Sequence, residues 1–115
     1  AATSSSSWSC WLGSNASCFR VDAIAVNGFD NRFSYGFEDG DFGNRLENFG
    51  LTPRTVRWTA ILLHLWHERP WARPEVIERN QRLVTPKSAG SRHRADDGLR
   101  EAVADDCLSP LSAIG

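Results

Sequence analysis

In the stretch YGFEDGDFGNRLENFG, residues 35–50, the three carboxylates Glu38, Asp39 and Asp41 fall within four positions, and Phe42, Leu46 and Phe49 follow at helical spacing. A carboxylate at the mouth of a helix can act as a general base when its neighbours hold it within hydrogen-bond reach of an attacking hydroxyl. Two or three together let one take the proton while another binds. A second group lies downstream in ILLHLWH, where His64 and His67 offer imidazoles, the commonest metal-ligating side chains. Each group also has a plainer reading. Acids stabilise a helix N-terminus by roughly 0.3–1 kcal/mol each. Histidines three apart in a strand point to opposite faces, so only one of the pair could then face a site.

The elements that must hold these residues can be read from the pattern. RVDAIAVNGFD has apolar Val21, Ile24 and Ala25, with Gly28 able to end a short helix in the left-handed conformation. A polar loop, DNRFSYG, leads into the acid-headed helix, whose end is marked by Gly50 and then Pro53. Gly40 and Gly43 weaken that helix by about 1 kcal/mol each, which suggests that something needs close approach there. TVRWTAILLHLWH alternates Val56, Trp58 and Ala60 against Thr55, Arg57 and Thr59 and then turns apolar, the pattern of a strand entering a buried sheet. RPEVIERNQRLV predicts a helix with Pro74 in its first turn and Val76, Ile77 and Leu83 on its buried side. From residue 85 the chain is charged and thin in large apolar groups, which predicts a flexible tail with one short helix near residues 98–104; His93, between Arg92 and Arg94, reads as solvent-exposed. The fold class expected is mixed α/β.

Composition sets the outer bounds. The chain has 115 residues, 41% hydrophobic and 23% charged, with a net charge of -1, so no basic stripe argues for nucleic acid. Its longest apolar run, residues 60–63, is far short of the ~20 residues needed to span a bilayer. The opening residues show neither a basic leader nor a sustained apolar stretch, so no signal peptide is expected. Cys10, Cys18 and Cys107 are odd in number and form no CxxC pair, the usage of a reducing compartment. Asn15-Ala16-Ser17 fits the glycosylation pattern, which matters only in a secreted protein. Trp8 and Trp11 are large apolar groups in a polar leader and want cover.

GSNASCFRVDAIAVNGFDNRFSYGFEDGDFGNRLENFGL, followed by RWTAILLHLWH, resembles the C-terminal half of the catalytic domain of family 2 type glycosyltransferases, in particular the galactosyltransferase C-terminal module. The likeness covers residues 13–84 and lies in the order of the motifs: G-x-N-x-x, a helix ending N-G-F-D, an aromatic/Gly-E-D-x-D helix start, and a closing H-x-x-H. The resemblance implies a partial GT-A-like fold, the acceptor-side half, with few strands and two or three helices. It implies that Asp39 is the catalytic base taking the proton of an acceptor sugar hydroxyl in an inverting transfer. Glu38, Asp41, Asn15, Tyr35 and Phe37 are then acceptor- or donor-binding, and His67, with His64 as a further ligand, holds manganese or magnesium beside the leaving diphosphate. Asp39-Gly40-Asp41 also spells the DxD pattern of nucleotide-sugar enzymes, but that motif sits in a loop after a buried strand, and here the residues open an amphipathic helix.

The resemblance further implies a nucleotide-diphosphate sugar donor, a saccharide acceptor, and a nucleotide-binding half that the dozen residues before Gly13 are too few to form, since a β-α-β unit takes ~30. The expected layout is therefore a partly disordered segment 1–12, the acceptor-side module 13–84 and a tail 85–115. The expected activity is that of a fragment of a glycosyltransferase, inactive alone, with a non-catalytic glycan- or protein-binding module as the alternative. Where the family has Trp-Gly-Gly, this chain has Tyr35-Gly36-Phe37, a change that bears on acceptor identity. A cytoplasmic location is expected, with a membrane-peripheral or Golgi-lumenal one as alternatives.

Overall fold

The computed structural model describes residues 11–56, 58–88 and 90–104; Trp8, Cys10, Arg57 and Cys107 lie outside the described residues. Four helices follow one another: α1 (Arg20–Ala25), α2 (Glu38–Asn48), α3 (Pro74–Leu83) and α4 (Leu99–Ala104). α1 stops where Asn27 and Gly28 both take positive φ, with the Gly28 amide donating back to Ala23 O at 2.8 Å. The glycine is needed twice over, because a Cβ there would also lie 2.7 Å from Leu99 Cγ. α2 closes as its pattern predicts, with Gly50 at φ 108 and the Gly50 and Leu51 amides donating to Glu47 O and Leu46 O. Pro74 opens α3 at the position where its missing N–H costs nothing.

α2 is the hub. Its Phe42 and Leu46 join Val26 in a small apolar core flanked by Trp11, Ala23 and Leu51. Phe29 stacks on Phe42 at 4.3 Å between ring centres, and Trp11 meets the same ring edge-on at 5.1 Å, so Trp11 finds its cover within the chain. The expected apolar stripe is only partly right. Phe49 is 42% exposed beyond the helix end, against His93, and Val21 and Ile24 of α1 face outward. What α2 buries instead is polar: Asp41, Asn44, Arg45 and Asn48, at i, i+3, i+4 and i+7.

Those side chains act on the backbones around them. Asp41 accepts from the Thr85 amide at 2.8 Å and Asn44 Nδ2 donates to Thr85 O at 2.9 Å, so one residue of the passing chain is held at both ends. Asn48 Nδ2 donates to Pro86 O and Arg92 O while its Oδ1 accepts from the Ser88 amide. Arg45 donates Nε to Asp41 at 2.7 Å and Nη1 to both Val26 O and Gly28 O at 2.8 Å. The helix thereby does with amides and a guanidinium what a neighbouring strand would do with its own backbone.

The segment after residue 85 is thus no tail up to Ala104. Ala95 is buried and donates its amide to Val26 O, and Arg94 Nη1 donates to Ala25 O. α4 is capped by a residue far back in sequence: Asn27 O accepts from the Leu99 amide and Asn27 Oδ1 from the Arg100 amide. Glu101 reaches back to the Gly98 amide, the carboxylate half of a capping box, and takes Asn27 Nδ2 as well; these bonds hold its carboxyl below the usual range. Composition misled here because the anchoring groups are polar on both sides. His93, expected in solvent, is half-buried for the same reason.

The strand expected over residues 55–67 does not form; among the described residues there is none. The segment carries turns at its start, where the Thr59 and Ala60 amides both donate to Val56 O, and then runs irregularly with Trp58, Ile61, Leu63, Leu65 and Trp66 each more than three-quarters exposed. A strand needs a neighbour for its N–H and C=O groups, and no strand among the described residues lies alongside to supply one.

Candidate functional site

The acidic start of α2 is set by its approach. Gly36 at φ 98 and Phe37 at φ 70 are successive left-handed residues, and Phe37 is the N-cap, with no side-chain capping bond. Such a conformation is unfavourable for a phenylalanine and has to be imposed. Asn80 of α3 is bonded to this turn: fully buried, its Nδ2 donates to Tyr35 O at 3.0 Å and Gly36 O at 2.9 Å. Arg79 adds a bond to Arg32 O at 3.1 Å. The loop before this turn is fastened by Asp30, whose buried carboxylate holds Arg32 through Nε, Nη2 and the backbone amide. Burial opposes the charged form of Asp30, but the hydrogen bonds and charge of Arg32 outweigh it and keep the carboxyl below its ordinary value.

The three acids part company at this turn. Asp39 is half-buried; its Oδ2 accepts from the Gly13 amide at 3.1 Å and its Oδ1 from the Gly40 amide at 2.7 Å, with no arginine or lysine paired to it among the described residues. A Cβ on Gly13 would crowd Asp39 Cβ at 3.2 Å, whereas one on Gly40 would meet nothing within 4 Å. Of the two glycines expected to permit a close approach, Gly40 has open space where a side chain would sit, and a close approach is found at Gly13. Asp41, expected to meet sugar hydroxyls, is instead fully buried, with both oxygens taken by Arg45 and Thr85. Glu38 is half-buried, with an Oε2 that is buried and has no hydrogen-bond partner.

The remaining candidates are scattered around this centre. Asn15 is exposed and donates Nδ2 to Ala60 O at 3.2 Å, which ties the segment after Trp11 to the start of the apolar strip. The Tyr35 ring stands edge-on to Trp71 at 6.1 Å. His67 stacks on that same indole at 5.8 Å, and His64 on His67 at 5.3 Å. The two imidazoles thus lie side by side and not on opposite faces, because the segment is no strand. An aromatic train runs from Tyr35, next to the acidic turn, through Trp71 to both histidines. No group of three or more His, Cys, Asp or Glu side chains able to hold a metal exists among the described residues, so no chemical step is derived through one. The Cys18 thiol is pushed up by burial and by Asp22, the reverse of what a nucleophile needs.

A pocket of about 320 Å3 lies elsewhere, lined by Phe29, Phe42, Leu99 and Ala102 among others, and includes none of the candidate residues. Sequence reasoning missed Gly13, Asn80 and Arg45. Only Arg45 carried a signal: Asp41/Arg45 is an i,i+4 pair, which reads as a solvated face until the chain that covers it is seen.

No helix among the described residues is long and apolar enough to cross a membrane. Residues 3–68 match the family described as the N-terminal domain of galactosyltransferase, and no curated protein or solved structure matches the chain. The description says N-terminal domain where the motif order pointed to a C-terminal half; the galactosyltransferase family is common to both. The match spans more than half of the 115 residues and takes in Gly13, the acidic turn and both histidines. The chain belongs to the galactosyltransferase family.

Proposed function

We propose that this chain is the acceptor-side part of an inverting glycosyltransferase, with Asp39 the general base that deprotonates a saccharide hydroxyl as it attacks the anomeric carbon of a nucleotide-sugar donor. The observation that carries the reading is the state of Asp39: backbone amides fix the carboxylate, no arginine or lysine among the described residues is paired with it, and open space lies where a side chain on Gly40 would sit. A base needs an oriented lone pair and room for the acceptor, and of the three acids Asp39 combines the two. Tyr35 and Phe37 supply aromatic surface for a sugar ring.

Manganese or magnesium belongs to this reading through His67 and His64, with its other ligands supplied from outside the described residues. The exposed strip around residues 58–66 is the face on which a nucleotide-binding half of α/β type would dock, which makes the isolated chain a fragment without turnover of its own. A mixed α/β fold then describes the assembled enzyme. The test is transfer from a uridine diphosphate sugar, with manganese, by the longest natural form of the polypeptide. Asp39→Asn is expected to abolish transfer while leaving donor binding intact. Full transfer by Asp39→Asn would remove the mechanism. The alternative, a non-catalytic glycan-binding module, predicts glycan binding with no nucleotide bound.

A further inference from the structure

We infer that Asn80 is a positioning residue for Asp39, acting through the turn at Gly36-Phe37; its value to catalysis rests on the reading of Asp39 as base. A primary amide has two N–H bonds, and Asn80 spends both on consecutive carbonyls, Tyr35 O at 3.0 Å and Gly36 O at 2.9 Å. Two successive peptide planes are thereby fixed against a helix more than forty residues away in sequence. The plane that carries Gly36 O also carries the Phe37 nitrogen, so holding it constrains the torsion that sets φ at Phe37.

That φ is +70, in the region that L side chains avoid and that is kept only where surrounding structure over-determines it. Glu38 and Asp39 come directly after. If Phe37 relaxed to the ordinary negative φ, the chain would enter α2 along another direction and Asp39 would leave the Gly13 amide, now 3.1 Å from its Oδ2. Asn80 is fully buried, so water cannot replace the two bonds once they are lost. A Cβ built on Gly36 would lie 3.6 Å from Ile77 Cγ1, and the bond from Arg79 to Arg32 O ties α3 to the same loop, but neither touches the Tyr35 or Gly36 carbonyl.

A merely structural asparagine would, on removal, loosen the whole hub alike. The positioning role predicts a local effect that strain relief reverses. The experiment is amide NMR on the full 115-residue chain carrying Asn80→Asp, an isosteric change that removes both donors. The Gly13 and Gly40 amides, which both bond Asp39, are expected to shift, while Ala95 and Leu99, bonded to Val26 O and Asn27 O, stay in place. Phe37→Gly added to Asn80→Asp removes the need to hold a positive φ and is expected to restore the Gly13 and Gly40 signals.

Unmoved Gly13 and Gly40 signals in a folded Asn80→Asp chain, or no restoration by Phe37→Gly, would overturn the inference. Should Asn80→Asp fail to fold, recovery of the fold by Phe37→Gly supports the role and continued unfolding overturns it. In the transfer assay of the longest natural form, Asn80→Asp is expected to lower kcat at least tenfold with KM for the donor unchanged. Loss of the base reading would appear separately, as full transfer by Asp39→Asn with the NMR response to Asn80→Asp intact.

Discussion

Two regions of this chain invert the usual rule about what goes inside. The hub around α2 buries Asp41, Asn44, Arg45, Asn48 and Asn80, while the strip from Val56 to Trp71 leaves eight large apolar side chains exposed. The difference lies in what each region's backbone needs. In the hub, irregular segments cross a helix that has no free backbone edge to offer, so their N–H and C=O groups are satisfied by side chains with both donors and acceptors. A hydrogen bond of this kind is worth about 0.5–1.5 kcal/mol net, and considerably more is lost if one partner is left buried and alone. In the strip, the residue types suit a pleated sheet, but no strand among the described residues lies alongside. Polar groups inside are therefore a finished structure and apolar groups outside an unfinished one.

The largest expected effect breaks the hub at its charge pair. Arg45→Met leaves Asp41 as a buried, uncompensated carboxylate, takes the Arg45 donor from Gly28 O and leaves Val26 O with the Ala95 amide alone. A loss of about 3–5 kcal/mol is expected, enough to leave a small domain largely unfolded, with denaturant unfolding followed by circular dichroism as the measurement. A loss below about 1 kcal/mol would mean that the polar stripe is decoration. Next comes Gly98, where an added Cβ would sit 2.0 Å from Asn27 O, a backbone atom that itself caps α4. Gly98→Ala is expected to cost about 2–3 kcal/mol through displacement of the capped segment, read in the same titration.

How much of this was legible follows the same division. The ends of α1 and α2 were readable because Gly28 and Gly50 announce left-handed caps, and α3 because Pro74 announces a first turn. The short helix near residues 98–104 was readable too, and α4 occupies Leu99–Ala104. The anchoring of residues 85–101 was not, since it runs through Asn27, Asn48 and Thr85, and an asparagine that clamps a backbone looks in sequence like one that faces water. The strand failed for the opposite reason: alternation states a preference, and pairing needs a partner that the pattern cannot name. At the site, the resemblance grouped Asp39 with Glu38 and Asp41, and Asp41 has a structural task that only the position of Arg45 and Thr85 reveals.

The pH dependence of stability sharpens the account of the hub. Asp30 has a carboxyl held below its ordinary value by Arg32, so the unfolded chain takes up the proton first as pH falls. Its stabilisation is complete above the unfolded value near 3.9 and is lost progressively as pH drops through the lower, folded value. Glu101, held down by the Gly98 amide and Asn27, works in the same direction. Unfolding midpoints are therefore expected to be flat from neutral pH to about 5 and to fall below about 4. Asp30→Asn should flatten the acid limb; an acid limb as steep as before would assign it to other carboxylates.

The smallest effect on stability is expected where the largest side chains are. Leu63 and Leu65 are each more than 80% exposed, so Leu63→Ser with Leu65→Ser removes almost no burial from this chain and should change its unfolding free energy by no more than about 0.5 kcal/mol. Its behaviour in concentrated solution should change far more, because contiguous exposed apolar surface drives association. Light scattering is expected to show concentration-dependent assembly of the parent chain and its reduction in the double variant. A cost above about 2 kcal/mol in dilute solution would instead mean that the strip is buried within the chain, and the contrast between a finished hub and an unfinished edge would fail at its outer side.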